Sequence, residues 1–112
     1  PNAAFTFGYV NASWTLKADL VSQYVCRLLN YMDENGYNTV EPVSPGADVE
    51  RLPFTDMSSG YFTRAIDILP KRGSKGPWQI KHNYFRDINV LRRTPIADPE
   101  LRFGRHRARV PA

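Results

Sequence analysis

The sequence predicts a mainly α-helical chain with one or two short strands. Apolar residues recur every three or four positions in three segments, which is the period of an amphipathic helix. Residues 5–10 are aromatic and β-branched, and they form the clearest candidate for a strand. With 112 residues, of which 42% are hydrophobic and 23% charged, the chain has the length and composition of one globular domain.

The strand predicted over residues 5–10 needs hydrogen-bonding partners, because a lone strand leaves both of its edges unsatisfied. No second strand-like segment follows it closely, so we expect its neighbours to lie outside this chain. Gly8, in the middle of the segment, indicates a bulge or the close approach of another group to the backbone. The missing initiator methionine likewise suggests processing, trimming or a piece of a longer protein.

The first helix is predicted from Trp14 to Gly36. Asn11 and Ser13 stand directly before it and are residue types that favour the N-cap position, whereas Gly36 is suited to end it. Residues 1–36 are therefore interpreted as one strand and one long helix. The apolar positions at helical spacing are Val21, Val25, Leu28, Leu29 and Met32.

Residues 37–57 are predicted to form a long irregular connection, because they contain three prolines and show no sustained hydrophobic period. A loop of this length is uncommon in a small domain and is easier to explain when it covers a larger body. Residues 94–112 are predicted to form a basic tail. Its last eight residues are expected to be poorly ordered.

Residues 58–93 are predicted to form a helical cover at the carboxy-terminal end. One helix is expected to begin at a cap provided by Ser58 or Ser59 and to stop at Pro70, since proline cannot continue a helix. Another is expected to open with Pro77 at its first position and to run from Trp78 to about Leu91. Tyr61, Phe62, Ala65, Ile66 and Leu69 make up the apolar face of the earlier helix.

Charge is unevenly divided along the chain. Residues 1–70 carry four bases against eight acids, whereas residues 71–112 carry eleven bases against three acids. The basic half could meet an anionic membrane surface, a nucleic acid or acidic surface of its own protein. The last of these is favoured, peripheral membrane attachment comes second, and nucleic acid is disfavoured because Trp78, Tyr84 and Phe85 fall at the spacing of core residues.

The sequence contains no catalytic constellation and no metal site. His82 and His106 are the only imidazoles and lie 24 residues apart, while Cys26 is the only thiol and is expected to be a small core residue. The sequence lacks both Gly-x-Gly-x-x-Gly and the phosphate-binding Gly-x-x-x-x-Gly-Lys pattern. A single cysteine, no apolar run of membrane-spanning length and no signal peptide favour a cytoplasmic location.

One local feature points to a ligand. A strand that leads through Asn11-Ala12-Ser13 into a long helix presents backbone N–H groups at one place, and the helix dipole adds partial positive charge there. Such a terminus suits a phosphate, a carboxylate or the electron-rich carbonyl edge of a ring system. From these residues alone, an ordinary capped helix remains the simpler interpretation.

Residues 8–20 have the sequence Gly-Tyr-Val-Asn-Ala-Ser-Trp-Thr-Leu-Lys-Ala-Asp-Leu. This run resembles the end of the FAD domain in NADPH-dependent flavoprotein monooxygenases of the flavin-containing and Baeyer–Villiger type. The resemblance extends over nearly the whole chain and is most specific in this run. Further matching segments are Tyr24 to Leu29, Pro53-Phe54, Ser59-Gly60-Tyr61, Leu69-Pro70-Lys71, Gly73-Ser74, Pro77-Trp78, Asn83-Tyr84, Arg86-Asp87 and Leu101-Arg102-Phe103.

The resemblance implies that the chain is the carboxy-terminal piece of an α/β flavoprotein with two dinucleotide-binding domains. It also implies a role for the helix terminus, whose start in this family lies against the pyrimidine edge of the flavin. The implied FAD-binding residues are Asn11, Ala12, Ser13, Trp14 and Thr15. No residue of this chain is implied to be catalytic, and the implied partner is the remainder of the monooxygenase, which would hold FAD and NADPH.

The implied reaction begins with reduction of FAD by NADPH and capture of O2 as a C4a-peroxyflavin. One oxygen atom then passes to a ketone, a sulfide or an amine. Because neither dinucleotide fold is present in these 112 residues, we expect the isolated chain to be inactive. The alternative is a non-catalytic basic helical module that binds an anionic membrane surface or nucleic acid.

Overall fold

A computed structural model of the chain describes residues 2–9, 11–54 and 60–106. The described part is helix-rich, as expected, but it contains four short strands instead of the one or two predicted. Its helices are α1 (Trp14–Asn35), α2 (Gly60–Ala65) and α3 (Tyr84–Arg93), and a 3-10 turn covers Gly76–Trp78. Its strands are β1 (Thr39–Pro42), β2 (Arg51–Leu52), β3 (Arg72–Gly73) and β4 (Leu101–Gly104).

The described residues form two compact units. The first contains the residues up to Val43 and those from His82 onward, and the second runs from Ser44 to Lys81. The first unit is built from α1, α3 and the β1–β4 ladder, with α1 packed on α3. The second unit is built from β2, α2, β3 and the 3-10 turn.

Helix α1 confirms the prediction for residues 14–36 at both ends. Ser13 is its N-cap, in an extended conformation, and Gly36 ends it in the left-handed region with a φ of 68°. That conformation carries little penalty for glycine, and it lets the N–H groups of Gly36 and Tyr37 reach the carbonyls of Asp33 and Met32. Leu20 and Met32 are buried on the helix.

The prediction for Cys26 was wrong, because its side chain is exposed. Residues four positions apart share a helix face, and Ser22 and Asn30, four residues before and after Cys26, are also exposed. The thiol therefore lies on the outer face of α1. Its burial was inferred from the residue type alone, while its position on the helix decides its environment.

Residues 5–9 pair with no strand in the described part of the chain. Because a strand needs partners and those of residues 5–10 are expected outside this chain, the strand stays a prediction. The inference from Gly8 is confirmed: a methyl group placed there would lie 2.2 Å from Cγ of Trp14. The absence of a side chain at Gly8 is what allows the indole to lie against the backbone.

Strands β1 and β4 lie in two segments that were predicted to have no regular structure. Thr39–Pro42 lies in the segment expected to be irregular, and Leu101–Gly104 lies in the segment expected to be a tail. The two strands pair antiparallel, with Thr39 opposite Gly104. Neither strand is visible from local periodicity because each is short and depends on a partner about 60 residues away. Of the basic tail, residues 107–112 lie outside the described part of the chain.

Helix α3 begins later than the sequence predicted. Pro77 does open a helical turn, but this is the 3-10 turn Gly76–Trp78, and residues 79–83 are not helical. Asn83 then caps α3, its side-chain oxygen accepting the N–H of Arg86 at 3.0 Å. A side chain of this kind favours a helix start at its own position, so the single predicted helix is divided into two elements.

Helix α2 is shorter than the helix predicted from Ser58 or Ser59 to Leu69, and both candidate caps lie outside the described residues. After Ala65 the backbone turns, and the N–H groups of Ile68 and Leu69 both donate to the carbonyl of Ala65. The ammonium of Lys71 also binds the carbonyl of Ile66 at 2.6 Å. These contacts end the helix before Pro70.

Candidate functional site

The start of α1 carries the five residues that the resemblance implied. Ser13 Oγ accepts a hydrogen bond from the N–H of Thr15 at 3.4 Å and lies 2.7 Å from Thr15 Oγ1. Asn11, Ala12, Ser13, Trp14 and Thr15 are all exposed. The predicted N-cap role of Ser13 is therefore confirmed, whereas the bound ligand stays a prediction.

The turn before α1 is attached to the segment that precedes α3. Asn11 Nδ2 donates to the carbonyl oxygen of His82 at 3.2 Å. His82 lies two residues before Tyr84, the first residue of α3, so this bond holds the starts of the two helices close together. Asn11 was predicted as a cap or ligand contact, and in the structure its amide connects two segments of the first unit.

Next to the helix start lies a buried polar cluster of Tyr9, Lys17 and Asp87. Asp87 is only 6% exposed and Tyr9 only 3%. Asp87 Oδ2 accepts hydrogen bonds from the Tyr9 hydroxyl at 2.7 Å and from Lys17 Nζ at 2.7 Å. The carboxylate is thereby paired with a charge and hydrogen-bonded, which is the condition under which a buried charge is tolerated.

Aromatic rings complete the surroundings of this cluster. Tyr84 packs edge-on against the Tyr9 ring, with centroids 6.3 Å apart, and Lys17 Nζ lies 5.6 Å from the centre of the same ring. Trp14, at the start of α1, and Phe85, in the first turn of α3, are both exposed. The site thus combines a buried ionic cluster with exposed aromatic side chains near two helix starts.

Burial raises the pKa of the Tyr9 phenol above its ordinary value of 10.0, and the hydrogen bond to Asp87 and the charge of that carboxylate raise it further. A phenolate at this position would lie in low-dielectric surroundings beside a second negative charge. Tyr9 therefore acts as a hydrogen-bond donor. Burial also raises the pKa of Tyr24.

The raised pKa of Tyr9 predicts a loss of stability in alkali. Because the unfolded chain releases this proton first as the pH passes about 10, the stabilisation present below that pH is lost as the pH rises further. In urea unfolding at a series of pH values above about 9, we expect the free energy of unfolding to fall more steeply for the wild type than for Tyr9→Phe. Tyr61→Phe, at an exposed ring, is the control. Parallel pH profiles for wild type and Tyr9→Phe would contradict the assignment.

The sequence analysis identified no buried partner for Lys17 or for Asp87. A signal was present: Asp87 is three residues after Tyr84 and four before Leu91, so it lies on the apolar face of its helix. An acid on such a face implies a buried partner. Which basic residue meets it is a matter of tertiary structure, since Lys17 is 70 residues away.

Several basic side chains of the second half meet acids of the first half. Arg92 lies 3.5 Å from Asp19, and Arg102 bonds Glu41 at 3.0 Å. Arg105 also binds the carbonyls of Asn35 and Gly36 at the end of α1, where the helix dipole favours cations. Arg27, which belongs to the first half, binds the carbonyls of Leu91 and Thr94 at the end of α3. Part of the charge asymmetry is therefore balanced within the chain, and these contacts give no support to a basic module for membranes or nucleic acid.

Among residues 2–9, 11–54 and 60–106, no three His, Cys, Asp or Glu side chains converge as metal ligands. In the same part of the chain, no helix is long and apolar enough to cross a membrane.

The chain is 57% identical over all of its 112 residues to the FAD-containing monooxygenase EthA of Mycolicibacterium smegmatis. It is similar to the carboxy-terminal part of FAD-containing monooxygenases. It is also 57% identical over 110 residues to EthA of Mycobacterium tuberculosis H37Rv, and 42% identical over 106 residues to the probable FAD-binding monooxygenase AlmA of Acinetobacter baylyi.

The resemblance inferred from the sequence is confirmed by these relatives. The chain spans 21 to 23% of the length of each of the three, so most of each relative has no counterpart in these residues. No family model matches the chain. No solved structure matches it.

Proposed function

We propose that this chain serves as the carboxy-terminal part of an FAD- and NADPH-dependent monooxygenase and presents the start of α1 to the flavin. The observation that carries the proposal is 57% identity to an FAD-containing monooxygenase along the full chain. The remainder of the enzyme is the partner and holds both dinucleotides. The isolated chain is inactive on this proposal, because it contains no dinucleotide-binding motif.

The residues at the start of α1 fit one edge of a flavin. The pyrimidine edge of the ring carries carbonyl oxygens, which accept hydrogen bonds and gain negative charge when the ring is reduced. The first turn of a 22-residue helix offers backbone N–H donors and partial positive charge, and residues 11–15 are exposed to receive a ligand. Asn11, Ala12, Ser13, Trp14 and Thr15 would therefore hold this edge and favour the reduced ring.

FAD, once reduced by NADPH, supplies the oxygen chemistry: one atom of O2 goes to a ketone, a sulfide or an amine, and the other leaves as water. The residues of this chain contribute binding and orientation. The exposed indole of Trp14 and ring of Phe85 would exclude water near the bound flavin when the remainder of the enzyme covers them.

The proposal is tested at Ser13 in the full-length enzyme that contains this chain. Ser13→Asp keeps a good N-cap residue but places a negative charge beside the carbonyl edge of the ring, so helix stability is retained while flavin binding is opposed. We expect the Kd for FAD to rise at least about tenfold, equivalent to about 1.4 kcal/mol, with an unchanged melting temperature of the apoprotein. Replacing both Asn11 and Ser13 by Ala is expected to weaken FAD retention as well.

Ser22→Ala is the matched control, since Ser22 lies on the same helix and its hydroxyl bonds only the helical carbonyl of Ala18 among the contacts described. Its FAD affinity should equal that of the wild type. Unchanged FAD occupancy in Ser13→Asp and in the Asn11/Ser13 double variant would refute the assignment of the helix start to the flavin.

A further inference from the structure

We propose that Asp87 is a positioning residue for the flavin: with Tyr9 and Lys17, it fixes the start of α1 in the orientation that stabilises the reduced ring. This inference rests on the proposed function, and it concerns a cluster to which the resemblance assigned no role. Asp87 itself would not touch the cofactor, because its carboxylate is buried.

The cluster holds residues 11–15 in place from both ends of that segment. Tyr9 lies two residues before Asn11 and Lys17 two residues after Thr15, so the five site residues are the stretch between two anchored points. Both anchors bind the same atom, Asp87 Oδ2, at 2.7 Å. A single carboxylate oxygen on α3 therefore determines where the chain enters α1.

Two further contacts restrict the same turn. The Asn11 amide binds the carbonyl of His82 at 3.2 Å, and the Trp14 indole lies against the backbone of Gly8. All of these residues belong to the first compact unit. With fixed points at positions 9, 11 and 17, the N–H groups of the first helical turn keep a defined direction, which is the condition for preorganised electrostatic stabilisation.

The position of Lys17 in this cluster depends on the negative charge of Asp87. Lys17 is partly buried, with 23% of its side chain exposed, and its ammonium lies 2.7 Å from the carboxylate. If Asp87 becomes neutral, the ammonium keeps a hydrogen-bond acceptor but loses its counter-charge, and it gains by moving toward water. Because Lys17 is one turn inside α1, its movement shifts the helix start.

The test is Asp87→Asn in the full-length holoenzyme, because Asn has nearly the shape of Asp without its charge. The readouts are the midpoint potential of bound FAD and the Kd for oxidised FAD. We expect reduced FAD to lose about tenfold more affinity than oxidised FAD, which corresponds to a potential about 30 mV lower for a two-electron couple. A role in stability alone would lower the melting temperature and leave the potential of the bound flavin unchanged.

Two other variants keep the test decisive if Asp87→Asn folds poorly. Asp87→Glu retains the charge and should recover most of the wild-type potential. Tyr9→Phe retains the ring and the ion pair but removes one anchor, so it should shift the potential in the same direction by a smaller amount. Asp19→Asn is the control, since it makes the same chemical change on α1 at an exposed pair with Arg92.

The outcomes separate this inference from the proposed function. If Ser13→Asp weakens FAD binding while Asp87→Asn and Tyr9→Phe keep the wild-type potential, Asp87 is not a positioning residue and the flavin assignment stands. If neither Ser13→Asp nor the Asn11/Ser13 double variant affects FAD binding, both ideas fail together. A lowered potential in Asp87→Asn, recovered in Asp87→Glu and absent in Asp19→Asn, supports the inference.

Discussion

Leu20→Ala is expected to lower the free energy of unfolding by about 3 kcal/mol, within the range seen when a fully buried leucine is truncated. Leu20 has no exposed surface and lies on α1, which packs against α3. Removing its outer carbons leaves a cavity that the surrounding side chains cannot fill completely. The value is measured by urea unfolding followed by circular dichroism.

Leu29→Ala provides the matched control, because it makes the same change on the same helix at a side chain that is 54% exposed. We expect a loss of at most about 0.5 kcal/mol, as at most surface positions. Equal losses of stability in the two variants would show that the Leu20 side chain is not buried in the packing of α1.

Gly8→Ala is expected to cost about 2 kcal/mol and to disturb the candidate site directly. The added methyl group would lie 2.2 Å from Cγ and 2.3 Å from Cδ2 of Trp14, which is far inside the contact distance of non-bonded carbon atoms. The indole must move away from the backbone, and Trp14 is the first residue of α1. Thermal unfolding measures the loss of stability, and the fluorescence of the indole reports its displacement.

Gly46→Ala is the control for this substitution. A methyl group there would meet only the end of the Asp48 side chain, at 3.0 Å, and that carboxylate can rotate away. Its melting temperature should stay within about 1 °C of the wild type, consistent with a change of a few tenths of a kcal/mol. A Gly8→Ala protein with wild-type stability and emission spectrum would show that the Trp14 ring does not lie against residue 8.

The elements that sequence analysis predicted correctly are those with local signals. Helix α1 was recovered with both of its ends, because Ser13 and Gly36 act through contacts with residues two to four positions away. The close approach of a group to Gly8 followed in the same way from a glycine within an otherwise bulky segment. In these cases the residues that specify the structure are neighbours in the chain.

Some of the errors concern elements that depend on distant partners, and others concern local signals that competed with the hydrophobic period. The β1–β4 ladder joins segments that the sequence presented as an irregular connection and a tail, since four-residue strands have no detectable period of their own. The division of the predicted third helix had a local cause, the cap at Asn83, but it competed with an apolar spacing that continues back to Trp78. The hydrophobic period alone did not reveal that the chain leaves the helical conformation between the 3-10 turn and α3.

The candidate site shows the same division between local and distant causes. The sequence alone indicated the position of the helix start and its cap at Ser13, and its resemblance to known monooxygenases indicated the kind of ligand to expect. It could not indicate that Asp87, 78 residues from Tyr9, binds the two residues that flank this turn. Caps and helix periods arise from short-range hydrogen bonds and side-chain direction, whereas the pairing of a buried charge depends on which helices pack together.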